Sequence, residues 1–339
     1  MLPLPEQTAL DENVHVSSRL LVAALCAVVI PYRAVAVTPR VECERDCLIR
    51  MASQYAAALV DHAPTRLPTV PGVRFTENLV PLKFGEQGLW KTATGRRDFN
   101  IYAADPQTGN VVWIGIVKEN DRAVMTTARL KVVDGRVTEI ETLVGRSPLT
   151  AAATVAAPRP DFASPVPASE RLTREKLIAI ANANWDAMER GDGHLAPYAV
   201  DCERYDNGEQ TSRGESPAKG AADSNGSLED RSCFGQMNSG RFNNGNRVYP
   251  RRIWAVDREY GVVVGLFTPN VPGNVREIKL RNGTTLTPEA SELLPFTIEQ
   301  VEMFKIVHGE ISKVEVVLGP RVPYGMRSPF DMQTLWQEK

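Results

Sequence analysis

Histidine is scarce in this chain of 339 residues: His15, His62, His194 and His308 are the only four, and none stands at ligand spacing from another. Zinc sites need clustered His and Cys ligands, so no metal is expected. Charge of one sign is also missing. Lys and Arg number 39 against 41 Asp and Glu, a net charge of −2. That balance has no electrostatic footprint for nucleic acid or an anionic membrane. The phosphate-cradling loops G-x-G-x-x-G and G-x-x-x-x-G-K-S/T are absent, as are H-E-x-x-H, G-x-S-x-G and Asp-rich calcium loops. Nucleotide-dependent, zinc-peptidase and α/β-hydrolase chemistry therefore lacks its residues, and no cofactor is expected. The one long apolar run, LLVAALCAVVI at 20–30, has 11 residues. A bilayer span needs about 20, so no stable membrane insertion is expected.

That run does fit another role. Arg19 precedes it and Ala34-Val35-Ala36 follows. A basic residue, a short apolar core and small residues before a cut describe a secretory signal peptide. The reading assigns 1–36 to the signal and places the mature start near Val37, although Glu6, Asp11 and Glu12 make an unusual leader. The expected location is secreted or periplasmic. Removing the leader also removes Cys26 and leaves Cys43, Cys47, Cys202 and Cys233, an even number that suits an oxidising compartment. Cys43 and Cys47 stand one helical turn apart, and Cys202 and Cys233 flank a long polar loop. Both pairs are expected as disulfides.

The chain repeats itself. Ile101-Tyr-Ala-Ala-Asp105 with Gly109 matches Ile253-Trp-Ala-Val-Asp257 with Gly261. Apolar strands follow both, VVWIGIV at 111–117 and VVVGLF at 262–267. LKVVDGRVTEIETLVG at 130–145 matches FKIVHGEISKVEVVLG at 304–319. Upstream, Tyr55 matches Trp185, and VRFTEN at 73–78 is set against ERYDNG at 203–208. Each half thus predicts a helix (about 44–61 and 173–190), a short strand, a variable loop and three apolar strands. Asp134-Gly135 and His308-Gly309 are hairpin turns. The halves are assigned to 43–146 and 171–330. The Pro- and Ala-rich stretch 147–170 reads as an extended linker on the surface.

These pieces resemble the SnoaL-like branch of the nuclear transport factor 2 superfamily. The resemblance implies an α+β fold of two cones, each with helices on a strongly curved antiparallel sheet and a pocket in its mouth. The second half also resembles an uncharacterised family of secreted bacterial and fungal proteins, through Cys202-Glu-Arg-Tyr-Asp-Asn-Gly208, Tyr249-Pro-Arg-Arg252, Val256-Asp257-Arg-Glu-Tyr-Gly261 and Val322-Pro-Tyr-Gly-Met-Arg-Ser328. Isomerases, dehydratases, cyclases, lyases and pure binding modules all use this fold, so it implies architecture rather than activity. The His/Asp pair of the SnoaL-like cyclases has no counterpart here.

Strand alternation assigns faces. In 301–307, Glu302, Phe304 and Ile306 point to the helix and the cone; Val301, Met303, Lys305 and Val307 share the other face, with Lys305 toward solvent. A carboxylate on an apolar face has a raised pKa, as a general base needs. Paired with an arginine, the same residue is only a structural ion pair. Alternation sets Arg252 with Trp254, and Arg251 with Ile253 and Asp257. The expected catalytic set is Glu302 as base, Arg252 as carboxylate or oxyanion clamp and Tyr205 as hydrogen-bond donor, with Asp206 and Asp257 as alternative bases. Trp185, Trp254 and Phe304 are the expected substrate walls, though such aromatics serve equally as core. Three functions compete. The first is a cofactor-free lyase or isomerase acting on a small apolar carbonyl or hydroxyl compound. The second is a non-catalytic protein that binds a small molecule or associates with itself as a homo-oligomer. The third is a structural tandem with both cones filled.

Overall fold

The computed structural model describes residues 43–146, 152–155, 157–213 and 232–331. The signal segment 1–36 and the loop residues 214–231 lie outside the described residues. The first half runs α1 (Arg45–Val60), β1 (Thr69–Glu77), β2 (Val80–Pro81), α2 (Leu89–Thr92), β3 (Ala93–Asp105), β4 (Asn110–Glu119), β5 (Arg122–Val133) and β6 (Arg136–Gly145). The second runs α3 (Arg174–Arg190), β7 (Tyr198–Asp206), β8 (Glu209–Arg213), α4 (Cys233–Asn238), β9 (Arg247–Asp257), β10 (Val262–Val271), β11 (Ile278–Lys279), β12 (Thr285–Leu286), β13 (Phe296–Val307) and β14 (Glu310–Pro323).

Local chemistry accounts for these elements. In α1, Leu48, Ala52, Tyr55, Ala56 and Leu59 fall on one buried face; their spacing is that of an apolar helical stripe. Thr173 caps α3 by accepting from Lys176 N, and Gly191 ends it in the left-handed region at φ 60°. The β5–β6 hairpin turns at Asp134 (φ 49°) and Gly135 (φ 73°), and the β13–β14 hairpin at His308 (φ 53°) and Gly309 (φ 85°). Two consecutive positive φ values are what a tight hairpin of the right twist requires.

Both halves form a six-stranded sheet of the same order, β2-β1-β6-β5-β4-β3 and β8-β7-β14-β13-β10-β9. Pairing is antiparallel except for β1 with β6 and β7 with β14. The fold is α+β. The helix of each half lies across its own sheet and builds a core there, around Tyr55, Trp90 and Trp113 in one half and Trp185, Phe267 and Phe304 in the other. A third core lies between the two sheets, where Ile101, Val112 and Ile114 meet Trp254, Val264 and Met303. Strands β4 and β10 are thus covered on both faces, which explains their unbroken apolar runs.

The contact between the halves is reciprocal. Asp105 Oδ2 accepts from Val256 N at 3.1 Å and pairs with Arg174 at 2.7 Å. Asp257 Oδ2 accepts from Ala104 N at 3.1 Å and pairs with Arg45 Nε at 3.0 Å. Such exchange is the signature of a two-fold, isologous interface, here built within one chain.

Four expectations need correction. Lys305 shares the face of Met303 but is buried, its Nζ donating to Ser164 O (2.6 Å) and Tyr260 O (2.7 Å). The linker is no surface strap. Ala152, Val155 and Phe162 are buried in the layer between the sheets. Asp257 leaves the face of Arg251 because β9 bulges at Trp254: Ala255 pairs with Val264 but Ile253 pairs with Gly265. A bulge inserts one residue and reverses the alternation beyond it. Finally, the match between the short strands shifts by one. Asn78 Oδ1 accepts from Val144 N (2.8 Å), as Asn207 Oδ1 does from Leu318 N (2.9 Å), both at positive φ. Residues 73–78 therefore correspond to 202–207, and a one-residue slip moves every side chain to the other face. Arg204, not Tyr205, stands where the first half has Phe75.

Candidate functional site

The second cone holds a polar cluster at its centre. Glu302 on β13 is fully buried and faces α3. Its Oε2 accepts from Trp185 Nε1 at 2.7 Å and Asn184 Nδ2 at 3.1 Å. Its Oε1 meets Arg204 Nη2 at 2.7 Å and Gln300 Nε2 at 3.3 Å. A carboxylate offers about four lone-pair sites, and these donors fill them. Arg204 also pairs through Nε with Asp206 at 2.9 Å, and Tyr198 Oη donates to Asn184 Oδ1 at 2.9 Å. Burial raises the Glu302 pKa above the ordinary carboxylate value, while Arg204 and the Trp185 bond oppose the rise. For Arg204, burial acts downward, yet Asp206 and Glu302 carry its pKa upward. Tyr198 is pushed up by burial and by Glu302.

The two cones solve the same packing problem differently. In the first, Trp113 on β4 sits across from Ala128 on β5, and Tyr55 Oη meets Thr142 Oγ1 at 3.0 Å. In the second, Gly265 sits across from Glu302, and the Trp185 ring fills the space. A Cβ on Gly265 would collide with that ring. A strand indole and a helix phenol have become a strand glycine and a helix indole, which leaves room for the Glu302–Arg204 pair.

The expected catalytic residues do not converge. Glu302, Trp185 and Phe304 face the cone. Arg252 and Trp254 lie on the opposite face of the sheet, toward the first half. Arg252 is bound there by Glu141, with Ser328 Oγ at 3.4 Å and Asp331 at 3.5 Å. Arg251 is the arginine on the helix side, paired with Asp186 (2.7 Å) and Glu189 (3.5 Å) of α3. Tyr205 donates to Glu203 Oε2 at 3.0 Å and lies under the Arg159 guanidinium at 3.7 Å, away from Glu302. Asp206 joins the cluster through Arg204; Asp257 belongs to the contact between the halves. The residue that sequence reasoning missed is Arg204, and the paired Asn78 and Asn207 turns were the signal for it. Both expected disulfides are present, Cys43–Cys47 with Cα atoms 5.2 Å apart and Cys202–Cys233 at 5.8 Å.

A cavity of about 250 Å³ opens where α1, β3, the linker and the turn after β9 meet. Ile49, Ile101 and Phe162 give it apolar walls, and Arg45, Asn100 and Tyr102 give it polar atoms. Arg45 is anchored over the Tyr260 ring at 3.6 Å. Asn100 Oδ1 accepts from Trp113 Nε1 at 2.9 Å, which leaves its amide NH2 as a donor. A wider groove of about 530 Å³ runs beside Cys43, Glu44, Thr108 and Lys131. Among the described residues, no group of three or more His, Cys, Asp and Glu comes together as a metal site. No helix among them is long and apolar enough to cross a membrane.

Residues 170–318 match a family model described as a domain of unknown function, DUF8021. No curated protein matches the chain. Among solved structures, an NTF2-like protein of unknown function from Cytophaga hutchinsonii aligns at 9% identity and a TM-score of 0.22, covering 29% of this chain and 88% of that one. Agreement of that size carries no weight; the strand order identifies the two copies within this chain.

Proposed function

We propose that this is an exported, SnoaL-like tandem protein that binds a small molecule at the junction of its two halves. The observation that carries the reading is the 250 Å³ cavity lined by Ile49, Ile101, Phe162, Arg45, Asn100 and Tyr102. Ligand sites are mostly apolar with a few placed polar groups, and usually run from about 300 Å³ upward. This one suits a compact ligand with an apolar body and a carbonyl or carboxylate acceptor for the Asn100 amide and the Arg45 guanidinium. Thermal shift and native mass spectrometry against small carboxylic acids and ketones test it. Ala163 is exposed at the cavity wall, so Ala163→Trp should fill the space without disturbing the fold. The expected result is a ligand-induced rise in Tm that this variant loses. A rise that survives Ala163→Trp moves the site elsewhere. Export is supported by the two disulfides, which suit an oxidising compartment.

The second reading is the lyase or isomerase, with Glu302 as base. Its raised pKa favours it, but a substrate proton could reach Glu302 only by displacing Trp185, Asn184, Arg204 or Gln300. If a screened compound is converted, Glu302→Gln should abolish turnover under this reading. Unchanged turnover would move the base away from the second cone.

A further inference from the structure

The layer between the sheets contains acids that the repeat itself marks as anomalous. Glu141 on β6 sits across from Arg129 on β5, with Arg129 Nε 3.3 Å from Glu141 Oε2, and Arg252 binds it from the other half. The matching residue on β14 is Glu315, and the residue across from it on β13 is Met303. The arginine has been replaced by a thioether. Glu315 is left with Arg159 Nε at 3.6 Å, beyond hydrogen-bond reach, and neither of its oxygens has a hydrogen bond. Glu299, at the β13 bulge, corresponds to Met125 and is also fully buried with neither oxygen hydrogen-bonded. An ionised carboxylate that has left water without gaining donors is costly, and it lowers that cost by keeping its proton.

We propose that the contact between the two halves is an acid-favoured interlock, closed while Glu299 and Glu315 hold their protons and loosened when they lose them. The charged groups around Glu299 are Glu141 on β6, Glu77 on β1 and Arg252 on β9. Around Glu315 they are Arg159 of the linker and Asp206 on β7, with the Tyr205 phenol beside it. Burial raises Glu299 well above the ordinary range, and Glu141 and Glu77 add to the rise against Arg252. Burial lifts Glu315 to about 8, against the pull of Arg159. The closed state therefore holds protons that the opened state releases. Through Glu315, stability falls as pH rises from the ordinary carboxylate value of 4.5 toward about 8 and levels off above it, and Glu299 acts in the same direction from 4.5 upward. Each carboxyl multiplies the opening equilibrium by up to about ten per pH unit within that window. Glu119, Glu139 and Glu203 are held low by their cationic partners. They act in the opposite sense, below the window.

Thermal unfolding and amide exchange of the mature chain between about pH 5.5 and 8.5 test this, since the window lies between the ordinary carboxylate value and the raised ones. Glu299→Met copies Met125, and Glu315→Gln keeps shape without charge. Wild type should lose Tm as pH rises. After correction for intrinsic rates, β4 and β10 should exchange faster at the alkaline end. The double variant should show a shallower slope, the remainder coming from Glu302, Asp257 and Asp331, which burial also raises, and should match or exceed wild-type Tm at high pH. If the double variant fails to fold, Glu315→Gln alone should still flatten the slope. A flat wild-type profile, or an unchanged slope in a folded variant, overturns the proposal.

Discussion

Arg204→Met is expected to lower stability by about 3–5 kcal/mol, the usual cost of removing one partner of a buried ion pair. The Arg204 side chain is 3% exposed and Glu302 is 0% exposed, so the carboxylate left behind has no water to turn to. Asp206, half-buried at the other side of the guanidinium, loses its partner too. Urea denaturation should show a lower midpoint with an unchanged slope, the pattern of lost stability rather than altered compactness. Adding Glu302→Gln removes the stranded charge while keeping an acceptor for Trp185. The double variant should therefore be more stable than Arg204→Met alone, with a coupling of roughly 0.5–3 kcal/mol as expected for residues in contact. A loss below about 1 kcal/mol in the single variant would place the pair in the class of solvated surface bridges, and a buried ion pair at the centre of the second cone would be ruled out.

Removing the Cys202–Cys233 bond by paired Cys→Ala replacement should cost about 3–4 kcal/mol by the chain-entropy relation for a loop of this length. The sequence separation is 31 residues, and both sulfurs are buried in the core that α3 builds on its sheet. The Cys43–Cys47 bond closes a separation of only 4 residues at the start of α1 and should matter less. Calorimetry of the Cys202→Ala/Cys233→Ala and Cys43→Ala/Cys47→Ala pairs separates the two cases. The same chemistry tests export. Material recovered from a secreting host should show no free thiol at these four cysteines and should begin near Val37. Secreted protein that still carried residues 20–30 would count against the signal-peptide reading.

Elements that depend on local pattern are legible in the sequence. The two helices, the Asp134-Gly135 and His308-Gly309 turns and the Asp105/Asp257 match follow from helical spacing, positive-φ turn residues and internal repetition. Glu302 was correctly placed on the helix face of β13, because nothing interrupts alternation between 300 and 305. The site failed where alternation was broken or counted from the wrong residue. The bulge at Trp254 redirected Asp257. A one-residue offset in the match of 73–78 put Tyr205 in the place that belongs to Arg204. Alternation groups Arg252 with Trp254 correctly, but the expectation that Arg252 shares a cavity with Glu302 fails, because its face meets the other half.

Periodicity, internal repetition and cysteine position determined the helices, the repeated order of elements and the cysteine pairing, and the family resemblance implied the α+β class. Each of these shows as a local pattern, as a pattern that recurs in the second half, or as a simple count. Only the tertiary structure decided what covers each sheet. A strand's period of two separates its faces but does not say which meets a helix, which meets solvent and which meets a second sheet. In this chain the second copy of the unit covers the back of the first. That contact buried Lys305, took Arg252 for Glu141 and left Glu299 and Glu315 without donors. Partners separated by more than a hundred residues carry no mark of each other in the sequence, because burial and pairing depend on distances that only the folded chain sets.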